Sequence, residues 1–136
     1  MKSTELRLGN YLGCSAGIGY DYCVVTKISH DKIETVAGNN HVFGVQYEVD
    51  NAIPLTEEWL LKFGARVWGH ESSRMASIEI TEHMSFEINL VNGDFHIVYD
   101  DLVVEGDHAC IAVNIKSIHK MQNLYFALTG KELTIK

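Results

Sequence analysis

Ile78-Glu79-Ile80-Thr81-Glu82-His83-Met84-Ser85-Phe86-Glu87-Ile88-Asn89-Leu90-Val91-Asn92-Gly93-Asp94-Phe95-His96-Ile97-Val98-Tyr99 is the stretch that decides the fold. Ile78, Ile80, Met84, Phe86, Ile88 and Leu90 stand at even positions and are apolar, while the odd positions between them are polar. That period of two belongs to a strand with one buried face. Only Glu82 breaks it, and marks a turn or bulge. Asn92-Gly93 is a strong hairpin signal, because a type I′ turn needs φ > 0 at both central residues. Centring the turn there sets Leu90 opposite Phe95, Ile88 opposite Ile97 and Phe86 opposite Tyr99, apolar against apolar throughout.

Working outward, Asp101 to Glu105 reads as a third strand, joined through a type II′ turn at Gly106-Asp107 to a fourth from His108 to Ile115. Val104 then faces Ala109 and Leu102 faces Ile111. The apolar phase shifts between Tyr99 and Leu102, so a bulge or break is expected at Asp100-Asp101. Upstream, Pro54-Leu55-Thr56-Glu57-Glu58-Trp59-Leu60-Leu61-Lys62-Phe63-Gly64 spells a short helix near 57–63. Thr56 is its N-cap, the two Glu residues favour the positive end, Leu55 and Leu60 form a staple, and Gly64 closes it in αL. Downstream, Ser117 to Thr129 reads as a helix capped by Gly130, with Ile118, Met121, Leu124, Tyr125 and Leu128 on one stripe facing the sheet.

The N-terminal part also reads as strands. Tyr22 to Ile28 and Lys32 to Val36 flank a tight connection at His30-Asp31, which puts Lys27 across from Glu34 and Ile28 across from Ile33. A further strand runs from His41 to Val49, and Gly13, Gly17 and Gly19 make a glycine-rich loop. The expected fold is α+β and mainly antiparallel, with N-terminal SH3-like or open-barrel strands followed by a β-meander and two helices. One domain over 1–136 is expected, with sub-units at 1–54 and 55–136 divided at the single proline, Pro54.

Charge narrows the function. From Met75 to Ile115 there is no Lys or Arg, yet Glu79, Glu82, Glu87, Asp94, Asp100, Asp101, Glu105 and Asp107 all lie in that span. With a net charge of −7, such a chain disfavours direct nucleic-acid binding, whose affinity comes from Lys and Arg displacing counterions. A basic protein partner suits it better. The N-terminus has no apolar leader run and no stretch approaches the roughly 18 apolar residues of a membrane span, so no membrane association and a cytoplasmic setting are expected. Cys14, Cys23 and Cys110 match no zinc spacing and suit reduced thiols, with Cys110 read as a core or near-core side chain.

Three segments carry a likeness: Glu5-Leu6-Arg7-Leu8-Gly9-Asn10-Tyr11, Ile53 to Gly64, and His119 to Gly130. They resemble the framework of small proteins found in genomes of gut Bacteroidales and their phages. The resemblance implies a cytoplasmic accessory protein of a bacterial or phage-derived system. That group carries no established activity, so it implies no catalytic residues.

Gly13-Cys14-Ser15-Ala16-Gly17 matches the nucleophile-elbow pattern, but too few residues precede it to supply an oxyanion loop, and Ile18-Gly19-Tyr20-Asp21 is no helix start. A flexible glycine loop is the plainer reading. His30, His41, His70, His83, His96, His108 and His119 form no H-x-x-x-H pair. In the hairpin register above, Asn89 lies opposite His96 with Glu87 one step along, a set able to hold a cation or position a water but plainer as a solvated patch. No metal or cofactor is expected. Exposed aromatics at Tyr20 and Tyr22 offer a contact surface beside the glycine loop. The candidate binding residues are therefore Tyr20, Tyr22, Glu79, Glu87, His96, Asp100 and Asp101. They serve a non-catalytic interaction module. A small hydrolase or metal-dependent enzyme using Ser15 or the His96 neighbourhood is the alternative, and an acidic nucleic-acid mimic a weaker one. Oligomeric state is open at this level.

Overall fold

A computed structural model describes residues 5–13, 22–29, 33–37, 42–45, 52–101 and 107–136, without the side chains of 37, 42–45, 101, 107 and 108. The chain is α+β and mainly antiparallel, and it divides into two compact units. The first comprises Met1–Pro54 and Ser117–Leu124, and the second Leu55–Lys116 and Tyr125–Lys136.

In the first unit, β1 (Tyr11–Leu12), β2 (Cys23–Ile28), β3 (Ile33–Ala37) and β4 (Val42–Val45) form a four-stranded sheet in chain order. Among the described residues no ladder closes β4 onto β1. The expected pairing of Lys27 with Glu34 and Ile28 with Ile33 is present, and a register shift between Val25 and Lys27 bends β2. The connecting residues 30–32 lie outside the described residues. Leu6, Leu12, Cys23, Val25 and Ile33 form the buried cluster under this sheet, with Ile28 packed against it.

Helix α2 (Ile118–Thr129) contributes its first half to this unit, and amide side chains fasten it there. Gln122 Oε1 accepts from the Tyr11 backbone N–H at 2.9 Å while Gln122 Nε2 donates to the Gly9 carbonyl at 3.2 Å. Asn123 Oδ1 accepts from Asn10 Nδ2 at 2.9 Å and its own Nδ2 donates to the Glu5 carbonyl at 2.8 Å. Asn10 and Gln122 are fully buried, so these bonds satisfy backbone groups that would otherwise be stranded. Near the helix start, the Ile118 N–H donates to the Ile53 carbonyl at 2.8 Å.

In the second unit, α1 (Glu57–Lys62) lies beside β5 (Arg66–Trp68) and β6 (Met75–Thr81). Thr56 caps it, accepting from Trp59 N–H. Gly64, at φ 83, permits the paired bonds from Gly64 N–H to Leu61 and from Ala65 N–H to Leu60 that close the helix. Strands β7 (Met84–Asn89), β8 (Phe95–Asp101) and β9 (Asp107–Val113) complete a meander in the order β5-β6-β7-β8-β9. Glu82 and His83 form the β6–β7 turn, and the register shifts between Glu79 and Thr81. Buried Leu60, Phe63, Ala76, Ile78, Phe86, Ile88 and Phe95 make up the apolar interior of this unit, with Phe86 and Phe95 at 4.9 Å between ring centroids and Tyr125 edge-on to Phe86 at 6.4 Å.

The β7–β8 register differs from the expected one by two residues: Ile88 faces Phe95, Phe86 faces Ile97 and Met84 faces Tyr99. The loop is longer than a two-residue turn. Asn89 Oδ1 accepts from the N–H groups of Val91 and Asn92, Gly93 N–H reaches back to the Asn89 carbonyl, and Gly93 takes φ 81. A shift of two keeps parity, so every side chain stays on its expected face. The expected third strand is also corrected: β8 runs through Asp101 without a break and pairs directly with β9, so Ala109 faces Tyr99 and Ile111 faces Ile97. Residues 102–106, which held Leu102 and Val104, lie outside the described residues.

Two burial expectations are overturned. Leu128 is 41% exposed, whereas His119 and Gln122 on the same helix are buried. Cys110 is exposed on β9, not part of the core. Among the described residues no helix is long and apolar enough to cross a membrane.

Candidate acidic site on the five-stranded sheet

Alternation along the meander puts Arg66, Ser77, Glu87 and His96 in one cross-strand row on the face away from Phe86. The next row places Glu79 opposite Ser85 and Ser85 opposite Val98. The β6–β7 turn folds Glu82 and His83 beside these rows, where the Asp100 N–H donates to the His83 carbonyl at 2.8 Å. An open concavity of about 440 Å³ results. Glu79, Glu82, Glu87 and Asp100 line it, together with Arg66, His83 and the hydroxyls of Ser77, Thr81 and Ser85.

Four carboxylates thus share one solvated hollow in which Arg66 is the sole permanent cation among the described lining residues. Arg66 Cζ sits 5.3 Å above the Trp68 ring. His83 Nε2 lies 4.0 Å from Glu82 Oε2, at the limit of an ion pair. Water and salt screen the mutual repulsion of exposed carboxylates, which leaves their field available to a cation.

Glu79, Glu87 and Asp100 are therefore brought together. His96 is half-buried directly opposite Glu87, not opposite Asn89, whose side chain caps the hairpin loop. It lines a different hollow, with Asp94 and Lys116. Asp101 ends β8 with its backbone opposite Asp107, its side chain outside the described residues. Tyr22 belongs to the other unit and packs edge-on against Tyr11 at 5.2 Å. Tyr20 and Ser15 lie outside the described residues. Arg66 and His83 join the site without a sequence signal: a three-residue strand is too short for periodicity, and a turn histidine carries none.

At the opposite end of α1, Arg74 makes a bidentate pair with Glu57, Nη2 to Oε1 at 2.7 Å and Nε to Oε2 at 3.2 Å, and donates from Nη1 to the Gly69 carbonyl. Hydrogen bonding to the Arg74 guanidinium holds the Glu57 carboxyl below its ordinary range and raises Arg74 in turn. This pair ties the helix start to the loop before β6 and stands apart from the acidic hollow. Among the described residues no group of three or more His, Cys, Asp or Glu is arranged to hold a metal. No family model, curated protein or solved structure matches the chain.

Proposed function

We propose that this chain is a non-catalytic interaction module, an accessory protein of a bacterial or phage-derived cytoplasmic system, whose acidic sheet face receives a basic segment of a protein partner. The observation that carries this reading is the convergence of Glu79, Glu82, Glu87 and Asp100 on one open concavity. A partner's Lys or Arg side chains would enter a negative field that steers encounter and selects against acidic surfaces. Direct nucleic-acid binding is not part of the proposal, since phosphate would meet like charge.

A fluorescent lysine-rich peptide is the probe. Its binding should weaken steeply between low and physiological salt. Replacing Glu79 and Glu87 together with Gln should weaken it roughly five-fold, taking two exposed ion pairs at about 0.5 kcal/mol each. Duplex DNA should not bind. Peptide binding indifferent to both salt and the double substitution would reject the acidic face as the contact surface.

A further inference from the structure

The loop between β7 and β8 holds a chemically reactive pair, with Asn92 exposed and Gly93 partly so. An asparagine side-chain carbonyl is open to attack by the backbone nitrogen of the next residue, because the two close a five-membered ring. A side chain on that next residue is the usual obstacle, and glycine has none. The other described asparagines, Asn10, Asn89, Asn114 and Asn123, precede Tyr11, Leu90, Ile115 and Leu124.

The bonds of the loop bear on this chemistry in both directions. The Asp94 N–H donates to Asn92 Oδ1 at 2.9 Å. The ring closed by that bond contains both Asn92 Cγ and the Gly93 nitrogen, so the side-chain amide is folded over the Asn92–Gly93 peptide and its carbonyl is polarised. Lys116 Nζ donates to the Gly93 carbonyl at 3.2 Å, and a cation there favours anionic character in the adjoining groups. Against these stands the Gly93 N–H bond to the Asn89 carbonyl at 2.8 Å, which must be given up as the nitrogen loses its proton. Asn89 also braces the loop with its side chain, Oδ1 accepting from the Val91 N–H at 2.9 Å and the Asn92 N–H at 3.2 Å.

We propose that Asn92 is a site of spontaneous deamidation in the folded chain, with water as the co-reactant and the Asn89 side chain as the clamp that sets its rate. The Gly93 nitrogen forms a bond to Asn92 Cγ, the Cγ–Nδ2 bond breaks, and the amide nitrogen leaves as ammonia with the Gly93 proton. Water then opens the cyclic imide at either of its carbonyls. One opening restores the original backbone with a carboxylate on the side chain. The other routes the backbone through the side chain, an isoaspartyl linkage, and leaves the carboxylate on the α-carbon. No electrons change hands: an amide and a water become an acid and ammonia. Either product adds one negative charge to the loop, beside Asp94 and within the field of Lys116, so the end of the hairpin gains charge with age.

Peptide mapping by mass spectrometry tests the proposal on the full chain held folded in warm, mildly alkaline buffer, with an isoaspartyl methyltransferase assay reporting the rerouted product. Conversion at Asn92 should run roughly ten-fold faster than at Asn114, which is equally exposed but precedes the β-branched Ile115. The chain unfolded in urea should convert faster than the folded one, because the Gly93 N–H is then released. Asn89→Ala should accelerate conversion in the folded chain several-fold, whereas Asn89→Asp, which keeps an acceptor for the Val91 and Asn92 N–H groups, should stay near the wild-type rate. Thermal melts establish that each variant is folded at the incubation temperature. A folded wild type that leaves Asn92 intact while the unfolded chain converts would overturn the proposal, as would conversion no faster than at Asn114. A folded Asn89→Ala variant that converts no faster than wild type would overturn the clamp.

Discussion

Where α2 meets the four-stranded sheet, buried Gln122 and half-buried Asn123 are bonded to the backbone and side chain of residues 5–11, in a helix segment that also buries Ile118 and Met121. Where the five-stranded sheet is closed, the buried side chains are hydrocarbon and aromatic: Leu60, Phe63, Ile78, Phe86, Ile88 and Phe95. Apolar closure is non-directional and tolerates a shift of neighbours. Amide closure is directional, and each bond that fails leaves a desolvated group behind. The first unit thus adds a few geometric bonds to its apolar cluster of Leu6, Leu12, Cys23, Val25 and Ile33, whereas the second is closed by apolar side chains in strand periodicity.

The largest effect should come from the apolar side. Phe86→Ala removes the ring packed at a tilt against Phe95 and should cost about 3–5 kcal/mol in denaturant unfolding, the usual range for a buried Phe. A loss under 1 kcal/mol would mean that the meander is not closed by its aromatic pair. Next, Gln122→Leu keeps volume but strands the Tyr11 N–H and Gly9 carbonyl, at roughly 1–3 kcal/mol for each group. Hydrogen exchange should show the loss at Gly9 to Tyr11. A neutral outcome would show that the amides are interchangeable with hydrocarbon, and the contrast between the units would collapse.

The Glu57–Arg74 pair should contribute less, being partly exposed on both sides. Because the Glu57 carboxyl is held below its ordinary range when folded, its contribution is present at neutral pH and is lost as pH falls through that lowered value. Glu57→Gln should therefore lower the melting temperature slightly at pH 7, with the gap to wild type closing in acid. A gap that persists in acid would assign the effect to packing instead. The smallest effect is expected at Leu128→Asp, about 0.5–1 kcal/mol, because the side chain is already 41% exposed. A large loss there would place the apolar end of α2 in the interior after all.

Elements governed by local geometry were legible in the chain. Thr56 and Gly64 announced both ends of α1, and the odd-even pattern from Ile78 to Ile88 assigned faces that the structure keeps. The hairpin register was missed because Asn92-Gly93 admits more than one loop length, and the choice came from Asn89, whose side chain collects two backbone donors across the turn. Glu79, Glu87 and Asp100 were legible as site residues through that same parity. Glu82, Arg66 and His83 joined them through a turn and a short strand that carry no period.

Alternation, capping and charge spacing depend on neighbours within a few positions, so strand faces, the limits of α1 and the absence of basic residues from Met75 to Ile115 follow from the chain alone. Burial depends on neighbours in space. Cys110, Ile111 and Leu128 carry apolar character yet are exposed because, among the described residues, β9 is the last strand of its sheet and no element covers that side of the end of α2. Gln122 is polar yet fully buried because its partner, the Tyr11 N–H, is 111 positions away, beyond the reach of any local pattern.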